Sequence, residues 1–96
     1  MSTVQKITDA LYQQISIKKL VIHDESFKHA NHAEAKKSQG GHYAILIVSE
    51  SFINKNPLER HRLINSILKD QFKNNIHALS ITALTPEEYQ QNHEPA

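Results

Sequence analysis

Residues 56–83, NPLERHRLINSILKDQFKNNIHALSITA, decide how this chain folds, because they carry a helix directly into a strand that opens on a histidine. Asn56 is placed to accept a hydrogen bond from the first free helix amides. Pro57 suits the position after the cap, and Glu59 follows where a capping box uses a carboxylate. Leu63, Ile64, Ile67, Leu68 and Phe72 then recur at helical spacing, which predicts one apolar stripe on a helix about four turns long. Arg60, Arg62, Lys69 and Lys73 fall off that stripe and make the outward side basic. Asn74 and Asn75 are expected to end the helix through the left-handed conformation that asparagine tolerates. In the strand that follows, His77, Leu79 and Ile81 are expected on one face and Ala78, Ser80 and Thr82 on the other. His77 stands at the mouth of this strand.

Working outward, Val4, Ile7, Leu11 and Ile15 mark a first helix, capped by Ser2 or Thr3 and ending near Ser16. A short strand at 20–23 places Leu20 and Ile22 on one face. The polar stretch 25–41 follows, carrying His29, His32 and the pair Gly40-Gly41, and is expected to be a flexible loop. The run 42–49 is apolar on both faces, as a central strand should be. Phe52 is the expected anchor of the turn after it. Thr85-Pro86-Glu87-Glu88 repeats the cap, proline and carboxylate pattern and opens a brief helix to about residue 91, before a frayed tail at 92–96. The whole is read as a single domain, 1–96, with an ordered core of about 3–91. Its class is α+β: a three-stranded mixed sheet with helices packed on one face in the order α-β-β-α-β-α.

A hydrophobic share of 39% with no long apolar run gives one modest core and no candidate membrane span. The polar start MSTVQKITDALYQQ lacks the apolar region of a signal peptide, so a cytoplasmic location is expected. There is no cysteine, so any metal ligand must be His, Asp or Glu. Eleven basic against ten acidic side chains leave a net charge of +1, far from the strongly basic balance of a dedicated nucleic-acid binder. No nucleophile motif, phosphate-cradling glycine loop or HExxH site is present, so no enzymatic activity is expected. The seven histidines, at 23, 29, 32, 42, 61, 77 and 93, are the unusual feature. For His77, a ligand role competes with that of a partly buried strand-end histidine bonded to backbone; His29 and His32 also read as plain loop residues. His61 is expected to pack and position its helix.

The segments DES at 24–26, HYAILIVSESF at 42–52, LERHRLINSIL at 58–68, IHAL at 76–79 and LTPEEY at 84–89 together resemble the BolA family. That resemblance implies a fold similar to the class II KH domain and no catalysis. It also implies a partnership with a monothiol glutaredoxin around a shared two-iron two-sulfur cluster, and DNA binding in control of morphology and stress response. His77 matches the family's expected cluster ligand. For the second ligand, from the loop, His29 in the ESFKH run is the closest match, with His32 and His42 as alternatives. A glutaredoxin cysteine and a bound glutathione thiol would complete the set, and the chain alone is expected to be a monomer or weak homodimer. Contact with double-stranded DNA would fall to Lys55, Arg60, Arg62, Lys69 and Lys73. The turn SFINKN at 51–56 lacks the glycines of a GXXG clamp, so such binding is expected to be weak and salt-dependent. The competing reading is a DNA-binding transcriptional regulator with no cluster role.

Overall fold

A computed structural model describes residues 2–25 and 41–93. Helix α1 (Thr3–Gln14) is capped by Ser2, whose Oγ accepts the Gln5 amide at 3.1 Å. Its stripe buries Ile7 and Leu11 completely. Strand β1 (Lys19–Asp24) pairs antiparallel with β2 (Gly41–Val48), and β2 pairs parallel with β3 (Ile76–Leu84), so β2 lies centrally as its two apolar faces require. A 3₁₀ turn (Glu50–Phe52), helix α2 (Pro57–Ile67) and helix α3 (Lys69–Asn74) connect β2 to β3. Helix α4 (Pro86–His93) follows the last strand.

The register explains the core. Leu20 and Ile22 stand opposite Ile47 and Ile45, which stand in turn opposite Ala83 and Ile81, so one sheet face is continuously apolar. Ile7, Leu11, Phe52, Ile64 and Leu68 pack against it from α1, the turn and α2. Each such full burial is worth about 1.5–3 kcal/mol relative to exposure. Phe52 is therefore the anchor its position suggested.

Both helix caps are realised. The Asn56 side chain accepts the Glu59 amide at 2.8 Å while Glu59 accepts the Asn56 amide at 2.9 Å. At α4 the Thr85 amide donates to Glu88 Oε1 at 2.8 Å, and the Glu88 amide donates to Thr85 Oγ1 at 3.2 Å. These reciprocal bonds satisfy amides that have no partner inside a helix.

Four local expectations are corrected. The single long helix is broken at Leu68, whose φ of −94° and ψ of 10° end α2 and begin α3. This bend redirects the chain to the start of β2, where the Gly41 amide donates to Asn75 C=O at 3.0 Å, and it leaves Phe72 36% exposed. Asn75 ends α3 in right-handed backbone (φ −108°), stabilised by donation from its amide and its side chain to Gln71, so no left-handed residue is needed there. The left-handed position falls instead at Asn54, with φ 66°. Residues 92 and 93 belong to α4 and not to the tail. The expected loop lies almost wholly outside the described residues, and Gly41 already belongs to β2.

Candidate functional site

The start of β3 departs from a regular ladder. Gly41 stands opposite Ile76 and His42 opposite Ala78, so His77 is an extra residue with no Cα partner on β2. A bulge of this kind turns a side chain away from the alternation of its strand. Here it lets both Ile76 and Leu79 face the core although they are three positions apart. His77 is thereby released from the face it was expected to share with Leu79 and Ile81. It is exposed, and its ring centroid lies 5.1 Å from that of His42, with the planes tilted by 48°.

Backbone bonds hold this end of the sheet. The Glu25 amide donates to His42 C=O at 2.7 Å, and Gly41 is tied to Asn75 as above. The segment 26–40 leaves after Glu25 and rejoins at Gly41, at the same edge as the imidazole pair. His29 and His32 lie outside the described residues. His23 is exposed and stands opposite Ala44, and His61 is exposed on α2, so it does not pack as expected. Among the described residues no group of three or more His, Asp or Glu is arranged to hold a metal ion. Two imidazoles make half of a tetrahedral set. Neutral nitrogen is a competent ligand to one iron of a two-iron two-sulfur cluster, so the donor chemistry fits a site whose other ligands come from a second molecule.

The basic residues divide. Arg62, Lys69 and Lys73 are exposed, Lys73 with Asp70 at 3.6 Å, while Lys55 is half-buried. Arg60 does not belong to the outward face. Its Nη1 and Nη2 donate to Glu88 at 2.6 and 3.3 Å, Nη1 also to Ala83 C=O at 3.0 Å, and Nε to Lys55 C=O at 2.8 Å. The guanidinium also lies over the Phe52 ring, 6.0 Å from its centroid. A planar fork of donors suits such multiple bonding. The hydrogen bond from Arg60, and then that from the Thr85 amide, hold the Glu88 carboxyl down from 4.5 to about 2.

A family model described as BolA-like protein matches residues 11–88, which include the bulge, the imidazole pair and both partners of the ion pair. The chain belongs to the BolA-like family. It is 39% identical over 87 residues to SufE-like protein 1, chloroplastic/mitochondrial, of Arabidopsis thaliana, covering 86% of this chain and 24% of that protein. Over 50 residues it is 46% identical to the DNA-binding transcriptional regulator BolA of Vibrio cholerae, covering 52% of this chain and 47% of that one. It thus spans less than half the length of either relative. The solved structure of BolA1 from Arabidopsis thaliana superposes with a TM-score of 0.77 at 31% identity, covering 92% of this chain and 96% of that one. The three-stranded mixed sheet with its helices is therefore the BolA-like architecture. No helix among the described residues is long and apolar enough to cross a membrane.

Proposed function

We propose that this BolA-like chain is a non-enzymatic adaptor that shares a two-iron two-sulfur cluster with a monothiol glutaredoxin, His77 and a second imidazole binding one iron. The observation that carries this reading is the His42–His77 pair, 5.1 Å between centroids at the end of the sheet where β2 and β3 begin. Two nitrogens on one tetrahedral ion are about 3.3 Å apart when each bond is about 2.0 Å. Rings whose centroids lie 5.1 Å apart can each turn one nitrogen towards a shared ion at such a separation. His29 and His32 are alternatives to His42, since their segment enters and leaves at the same edge.

The chain has no cysteine, so the thiolates come from the glutaredoxin and its bound glutathione. When bound, the cluster supplies a redox-active and transferable iron–sulfur group; this chain's part is to present imidazoles and to shield one side of the group. A cytoplasmic location and a monomer or weak homodimer in the absence of the partner complete the reading. The test is reconstitution with a purified monothiol glutaredoxin, glutathione, iron and sulfide, followed by visible absorbance and circular dichroism. A spectrum distinct from that of the glutaredoxin alone, and lost with His77→Ala, is the expected result; an unchanged spectrum with His77→Ala overturns the ligand assignment.

A second reading adds weak contact with DNA through Arg62, Lys69 and Lys73. It is favoured by their exposure and by the name of the Vibrio cholerae relative.

A further inference from the structure

We propose that the cleft between the turn at residues 50–54 and helix α4 is a second docking surface, which takes a basic peptide segment bearing a neighbouring apolar side chain. The cleft is an open groove of about 500 Å³. Its floor is the Arg60–Glu88 ion pair with Thr85, and these groups are already bonded to one another, so the floor is rigid and its positive charge is neutralised. Ile53 and Pro86 form its apolar walls. Ile53 is 52% exposed while the adjacent Phe52 is fully buried, so the turn turns one hydrophobe inward and leaves the next facing the cleft.

The rim decides the occupant. Glu50 and Glu87 are both exposed there. Glu50 meets Lys18 only at 3.7 Å, with both side chains more than half exposed, and a pair of that kind contributes little and leaves the carboxylate available. Together with the exposed Ile53, these two carboxylates give the rim an apolar side chain flanked by negative charge. Arginine or lysine complements the rim, and an adjacent leucine-like side chain complements Ile53 and Pro86. The same carboxylates repel phosphate, which excludes a nucleic-acid backbone from the turn where a KH domain places its clamp. β3 separates this cleft from His77, a span of roughly 25 Å at about 3.3 Å per residue. The two ends of the sheet can therefore be occupied together.

The experiment follows backbone amide chemical shifts of the isolated chain during titration with the peptide Ac-Leu-Arg-Leu-Arg-NH₂, with Ac-Leu-Glu-Leu-Glu-NH₂ and a single-stranded oligonucleotide as controls. Shifts confined to Ile53, Asn54, Glu87 and Gln91, seen with the basic peptide alone and diminished by salt, are expected. Glu87→Lys and Ile53→Ser alter exposed side chains, and each should weaken the response by about tenfold. The proposal is overturned if the basic peptide leaves these amides unmoved at millimolar concentration, if either control moves them equally, or if both variants titrate like the parent. No cluster is present in this experiment, so its failure leaves the reading of His77 untouched.

Discussion

Arg60 and Glu88, 28 positions apart, close a two-pronged ion pair that ties the first turn of α2 to the first turn of α4 across the end of the sheet. Because Arg60 also bonds two main-chain carbonyls, its removal opens α2, β3 and α4 at once. Its side chain is 12% exposed against 40% for Glu88, so solvent screens the pair in part. Arg60→Ala is expected to cost about 2 kcal/mol, within the range for hydrogen bonds to a charged group. For a domain of this size that corresponds to a melting temperature lower by about 8–16 °C. Arg60→Lys should recover only a fraction, since an ammonium cannot reproduce the fork. A melting temperature unchanged by Arg60→Ala would show the clamp to be incidental.

The same pair gives stability a dependence on acid. Glu88 titrates near 2 in the folded chain and near 4.5 when unfolded, so its contribution is complete above about pH 4.5 and is lost as pH falls towards 2. Glu88→Gln should lower the melting temperature at neutral pH and flatten its decline across that acid window. Thermal melts in both proteins over the window check this, and parallel curves would contradict it.

How much of this was legible depended on the range of each interaction. The two capping boxes, Asn56 with Glu59 and Thr85 with Glu88, join residues three apart, and their pattern could be read directly. The stripe of Leu63, Ile64, Ile67 and Leu68 also marked the core correctly. It could not reveal the bend at Leu68, because these residues face the core whether or not the helix runs on, and only Phe72, left partly exposed, differs between the two cases. Arg60 read as one more outward cation because its partner is remote in sequence and its position on the helix carries no mark of it. The bulge did leave a signal: Ile76 and Leu79 are both apolar at a spacing of three, which a regular strand cannot turn to one face. His77 stands out by its place at the strand's mouth and by family likeness, whereas its 5.1 Å approach to His42 depends on the register in which β2 and β3 pair.

The bend at Leu68 separates two residues that look alike on the stripe. Leu68 is fully buried, so Leu68→Ala should cost about 2–5 kcal/mol through lost contacts and a cavity. Phe72, partly exposed on α3, should cost about 1 kcal/mol or less when changed to serine. Denaturant titration distinguishes them, and equal losses would mean that α3 continues the core stripe.

Among the cations, Arg62→Ala and Lys69→Ala are expected to weaken any DNA binding alike for all sequences, each reducing the salt slope by about one, as loss of a phosphate contact does. Arg60→Ala is not expected to do so, once its lower stability is taken into account. Fluorescence anisotropy over a range of salt concentrations measures the slopes, and binding that ignores salt would remove the second reading altogether.

The most decisive variants concern the imidazole pair. Because His77 is exposed and stands in a bulge outside the regular ladder, His77→Ala should change stability by no more than about 1 kcal/mol, the range for a surface side chain without a structural role. The spectrum of the cluster shared with glutaredoxin should nevertheless be lost. His42→Ala asks which imidazole is second. If His42 is the ligand, that change alone should resemble loss of His77, and His29→Ala with His32→Ala should leave the spectrum intact; if the ligand lies in segment 26–40, the outcomes exchange. A buried, purely structural histidine would behave in the opposite way, lowering the melting temperature while sparing the cluster, because its removal leaves a cavity and an unpaired polar group. Paired melting and absorbance measurements on the same preparations separate these cases: His77→Ala protein that melts early yet assembles a normal shared cluster would end the ligand assignment.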